Sequence, residues 1–225
     1  MTEAKWLACT EPYQMLDFLP GKVSGRKLRL FACACCRQGV WPLLSDRRSR
    51  KAVEVAERFA EGAADRVALR AAWMDARVAA QRVTRNQRAA IAAAAAAHRS
   101  HRCGRAAAGR VFSVAYYGEG AGLSREEQRQ AHLVLLRCVF GNPFRRAAVD
   151  PAWLAWNGGC VVRLATAAYD ERELPGGRLD PARLAILADA LEDAGCDDAT
   201  MPAHLREPGP HVRGCWVVDL LLGKE

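Results

Sequence analysis

The chain has 225 residues, 51% of them hydrophobic, and a formal net charge of +8. That size supports a substantial core, and that composition excludes a disordered or low-complexity protein. No apolar run reaches the roughly 20 residues of a membrane span, and "MTEAKWLACTEPYQML" lacks a basic flank leading into an apolar block, so a cytoplasmic protein with no membrane partner is expected.

Nine cysteines, an odd number without an export signal, read as reduced thiols. The charge is uneven: residues 1–110 hold 21 Lys and Arg against 9 Asp and Glu, and residues 111–225 hold 12 against 16. A basic half of this kind suits an acidic protein surface or a nucleic acid.

In chain order, the first helix signal is "LRLFACACCRQGVW" at 28–41. At the helical period Leu28, Phe31, Ala32, Cys35 and Cys36 share a stripe, with Lys27, Arg29 and Arg37 off it. Cys35 and Cys36 are therefore expected in the core as small hydrophobes. Cys33 falls elsewhere, beside Arg29 and Arg37; core packing is expected for it too, the alternatives being a thiol made reactive by those charges or an ion shared with Cys36, three positions on.

"SDRRSRKAVEVAERFAEG" offers Ser45 or Asp46 as N-cap and Gly62 beyond the end. From Asp65 to about His98 an Ala-rich segment reads as one long helix, since Ala has the highest helix propensity. Between Arg77 and Arg110 there are eight arginines and no acidic residue. On an unbroken helix Arg77, Arg85, Arg88, Arg99, Arg102 and Arg110 would line one ridge able to contact an acidic partner or several phosphates. No aromatic residues are interleaved for base stacking.

Residues 99–123 read as a glycine-rich hinge containing the chain's one fair strand candidate, "RVFSVAYY". The glycines of 118–122 could cradle phosphate, but no strand-helix-strand unit follows, and a linker explains them. His98, His101 and Cys103 could share a metal, although Arg99, Arg102 and Arg105 oppose a cation there.

Beyond the hinge, Ser124 and Glu127 form a capping box for a helix ending at Gly141. Asp150-Pro151 and Asp180-Pro181 open two more, Gly195 closes the second, and "HVRGCWVVDLLLG" is a short apolar helix ending at Gly223. Cys196, His204, His211 and Cys215 supply the two thiolates and two imidazoles of a tetrahedral zinc site, in a C-x7-H-x6-H-x3-C spacing looser than zinc-finger patterns. No catalytic constellation is present: there is no nucleophile elbow, no H-E-x-x-H and no Walker loop, so a non-enzymatic role is expected.

The phrases "TEAKWLACTEPYQMLDFL", "RKLRLFACACCRQGVW", "VFGNPFRRAAVDPAWLAWNGG", "LADALEDAGC" and "PHVRGCWVVDLLLGKE" make the chain similar to a large bacterial paralogue family with no established activity. The resemblance covers both ends and leaves 63–123 as the variable part. It implies no cofactor or catalytic residue.

The expected architecture is all-α: a single domain, an irregular multi-helix bundle with one long Ala/Arg-rich helix. Residues 1–62 and 124–225 would form its body, packed around Trp6, Phe31, Cys35, Cys36, Trp153, Leu187 and Trp216. The expected function is a non-catalytic adaptor whose arginine ridge contacts an acidic protein. Nucleic-acid binding through that ridge and a zinc-stabilised helical domain are the alternatives.

Overall fold

The structure, a computed structural model, describes residues 1–19, 21–82, 87–98, 124–145 and 147–224. Among these the protein is all-α, with no strand. The helices are α1 (Glu3–Leu7), α2 (Pro12–Phe18), α3 (Gly25–Cys35), α4 (Arg47–Ala60), α5 (Arg66–Arg82), α6 (Gln87–Ala96), α7 (Arg125–Phe140), α8 (Pro151–Asp170), α9 (Pro181–Asp193), α10 (Thr200–Arg206) and α11 (Trp216–Leu221). No helix is long and apolar enough to cross a membrane.

Most ends are set locally, as expected. Asp46, Asp150 and Asp180 accept hydrogen bonds from the amides of Arg48, Ala152 and Ala182, with Pro151 and Pro181 in the first turns. Ser124 and Glu127 complete the capping box of α7.

α7 stops at Gly141 for a tertiary reason too. A Cβ there would lie 2.8 Å from the Trp216 ring, and the Gly141 carbonyl accepts from the Trp6 indole at 3.0 Å. Gly141 thus joins the two ends of the chain.

α8 contains a turn that its Asp-Pro start did not announce. Asn157, Gly158 and Gly159 have φ of 48°, 63° and 81°, and Arg163 donates to the carbonyls of Asn157 and Gly158.

One contiguous core joins these elements. α3 lies at its centre, with every residue from Leu28 to Cys35 buried, packed by α4, α6 and α7. The expected core residues are buried, except that Trp216 is half-exposed.

A helix enclosed on all sides removes the alternative of a reactive Cys33, which needed a wet face, and leaves the core role. Cys33 is fully buried with its thiol 3.8 Å from the Val53 carbonyl, and burial raises its pKa well above the ordinary thiol range. It is core, not a reactive nucleophile.

Arg29 and Arg37, expected off the buried stripe, are buried as well. Arg37 forms a bidentate pair with Glu57 at 2.6 and 2.8 Å, which Arg172 joins at 2.9 Å. Arg29 donates to the carbonyls of Ala96 and His98, at 2.8 and 3.0 Å, and so terminates α6.

The single long helix over 64–98 is also corrected. An unbroken helix would set residues 73 and 98 about 37 Å apart, yet the rings of Trp73 and His98 are 5.4 Å apart, centroid to centroid. The segment folds as two helices, α5 and α6, packed on each other and on α4. Their buried positions are mostly alanines, including Ala76, Ala79, Ala92, Ala93 and Ala96. Alanine sets a helix's likelihood but not its length; the buried guanidinium of Arg29, distant in sequence, supplies one end.

The unbroken helix on which the arginine ridge was drawn is absent, and of its six residues the structure describes the side chain of Arg77. Arg77 is exposed on α5, its guanidinium 5.6 Å from the Trp73 ring centroid. Arg85, Arg99, Arg102 and Arg110, and the side chain of Arg88, lie outside the described residues, as do the strand candidate, the glycines of 118–122, His101 and Cys103.

Candidate metal centre

Three chain segments meet at one buried point. α7 brings Cys138 in its last turn, α10 brings His204, and the turn before α11 brings His211 and Cys215, the latter at the N-cap of α11. The donor atoms of Cys138, His204, His211 and Cys215 all lie within 4.8 Å of one another. Three of the edges are tight: Cys215 Sγ to His204 Nε2 is 3.5 Å, Cys138 Sγ to His211 Nδ1 is 3.8 Å, and Cys215 Sγ to His211 Nδ1 is 4.0 Å.

Backbone packing puts these groups there. Gly209 lies so close to α7 that a Cβ would be 2.7 Å from Val134 Cγ1, and this approach lowers the 207–211 loop onto Cys138. Leu179 N donates to the His211 carbonyl at 2.8 Å, and Val212 bridges Arg178. From the opposite side the buried Tyr169 hydroxyl donates to Asp219 Oδ1 at 2.7 Å and accepts from Gly214 N at 3.0 Å. Lys27 donates to the carbonyls of Val139 and Gly214 at 3.2 and 2.9 Å.

The remaining ring nitrogens are both engaged by Glu207. His204 Nδ1 lies 3.1 Å from Glu207 Oε2, and His211 Nε2 lies 3.1 Å from the Glu207 carbonyl. Carboxylate and carbonyl only accept here, so each imidazole directs an N–H at Glu207 and, when neutral, turns its lone pair toward the thiols; without an ion His204 is instead protonated and donates to Cys215. One residue thus selects both tautomers.

Burial opposes ionisation of the two thiols, but hydrogen bonds from Cys138 and His204, with the His204 charge, hold Cys215 well below the ordinary thiol range. Burial and the neighbouring Cys215 push Cys138 up. A cation between them would let both be thiolates, and a divalent ion with two thiolates and two neutral imidazoles has no net charge to bury. A cleft of about 260 Å³, lined by Val134, Arg137 and the 207–211 loop with Cys138 and His204, leads to the cluster.

Of the four residues expected from the sequence, His204, His211 and Cys215 converge and Cys196 does not. Cys196 follows the end of α9, half-buried, with its thiol 3.7 Å from the Asp198 carbonyl. Cys138 takes the fourth position. Within "LVLLRCVF" it is indistinguishable from an ordinary buried cysteine, and 65 residues separate it from His204, so no spacing rule points to it. No family model, curated protein or solved structure matches the chain, so the centre is argued from its own geometry.

Proposed function

We propose that Cys138, His204, His211 and Cys215 bind one structural zinc ion and that the protein is a zinc-stabilised helical domain. The carrying observation is the set of four buried donors within 4.8 Å of one another. Zinc-sulfur bonds of about 2.3 Å and zinc-nitrogen bonds of about 2.0–2.1 Å give tetrahedral edges of about 3.3–3.8 Å. The 3.5, 3.8 and 4.0 Å edges need contract by only a few tenths of an ångström or not at all, and the widest, at up to 4.8 Å, by about 1 Å. Two sulfurs and two imidazole nitrogens fill all four positions, leaving none for substrate, which makes the ion a cross-link between α7, α10 and α11 rather than a catalyst.

Elemental analysis of protein purified under reducing conditions is expected to give one zinc per chain. Cobalt(II) exchanged into the site should show the visible absorption of a tetrahedral thiolate complex. Cys138→Ser and Cys215→Ser should each abolish that spectrum, and Cys196→Ser should leave it intact. Metal-free wild-type protein that also gives no cobalt spectrum would refute the reading; loss of metal in Cys196→Ser would return the fourth position to that residue.

A further inference from the structure

We propose that the outer face of α5, with the cleft between α5 and the start of α4, docks an acidic amphipathic helix of a partner protein. Val67, Ala71, Met74 and Val78 are exposed and follow one another at intervals of four, three and four residues. That spacing draws one stripe along the helix, about 16 Å long. Val67 is 75% exposed, Met74 45% and Val78 38%, and among the described residues nothing covers them. Isolated exposed apolar side chains are ordinary on a protein surface, but a heptad stripe is the face a second helix uses.

The charges beside the stripe define the occupant. Arg70 and Arg77 are exposed and lie about 60–90° to one side of it on the helical wheel. On the other side a cleft of about 430 Å³ separates α5 from α4, with Ala72 and Asp75 on one wall and Arg47, Arg50 and Lys51 on the other. These three cations and Arg70 make no ion pair among the described residues, while Arg48 is held by Asp46 at 2.7 Å. Asp75 and Glu54 are the only acids in the cleft lining, so cations predominate. The surface is thus an apolar spine between two basic rails. Its complement is a helix of about three turns with an apolar spine between two acidic rails.

Nucleic acid fits this surface less well. Phosphates would be set against the methyl groups of Val67, Met74 and Val78. Trp73, the aromatic residue of α5, is half-buried against His98 rather than presented for stacking.

The probe is a synthetic helical peptide with Leu at heptad positions a and d and Glu at e and g, compared with a scrambled peptide of the same composition and with a short DNA duplex. Fluorescence anisotropy at physiological ionic strength is the readout. The patterned peptide should bind at least tenfold more tightly than the scrambled one. Met74→Ser with Val78→Ser should weaken the patterned peptide at least tenfold, and Arg70→Ala with Arg50→Ala should weaken it as well. All four side chains are exposed, so circular dichroism and zinc content should be unchanged; the outcome is therefore separate from that of the metal reading. Equal affinity for the two peptides would overturn the proposal. So would tighter binding of the duplex that is indifferent to the Met74 and Val78 changes.

Discussion

The Cys/His corner and the α5–α6 pair are held together in opposite ways. At the corner, a few chemically specific groups act over long sequence distances: Cys138 meets Cys215 across 77 positions, and one glutamate orients two imidazoles. In α5 and α6 most buried positions are alanines, small enough to let the helices approach closely, with the Trp73–His98 contact and the Arg29 cap at one end. Removing one group should be severe at the corner and mild in the α5–α6 pair, while adding volume should do the reverse.

The largest expected effect is loss of metal. Cys215→Ser or chelation should destabilise the protein by on the order of 5 kcal/mol or more, given the strength of structural zinc binding. Cys196→Ser should change stability by no more than about 0.5 kcal/mol. Chemical denaturation of the two variants side by side measures the contrast, and equal stabilities would erase the distinction between the regions.

Next comes a pH effect on the same helix as Cys138. Burial lowers the His132 imidazole from 6.5 to about 4, and its Nδ1 lies 2.6 Å from the Gln128 carbonyl. Between these values the unfolded chain takes up a proton that the folded protein does not. Stability should therefore fall as pH drops from about 6.5 to about 4, by roughly 3 kcal/mol from this group, and then level off. His132→Leu should remove that part of the slope. A slope unchanged by the substitution would show that His132 is protonated in the folded state.

In the α5–α6 pair, Ala92→Leu or Ala76→Leu should cost about 1–3 kcal/mol, because both side chains are fully buried and added volume must displace packed neighbours. Thermal denaturation tests this, and a neutral result would mean that α5 and α6 can separate without loss. Smallest of all, Asp180→Ala should cost about 1 kcal/mol through the lost cap of α9. A larger loss would mean that Asp180 has a role beyond its own helix end.

The all-α class was legible in the sequence, as were the starts at Asp46, Ser124, Asp150 and Asp180, because a cap is a contact between residues two or three positions apart. The core places of Phe31, Cys35 and Cys36 were legible from the helical period. The length of α5 was not: the Ala-rich pattern reads the same in one long helix and in two packed ones. Arg29, 67 residues before Ala96, caps α6. The core role of Cys33 was legible from its chemistry but not from the wheel, which assumes a wet face that an enclosed helix lacks.

The metal centre divides along the same line. Residue chemistry alone placed His204, His211 and Cys215 among the candidate ligands, since two imidazoles and a thiolate are preferred zinc donors. Choosing Cys138 over Cys196 required knowing that α7 passes beneath the 207–211 loop at Gly209, and such an approach is recorded in no local pattern. Helix ends and residue chemistry are short-range properties that a linear reading can recover. Which distant groups meet depends on how helices of similar propensity pack, and packing is a property of the folded chain.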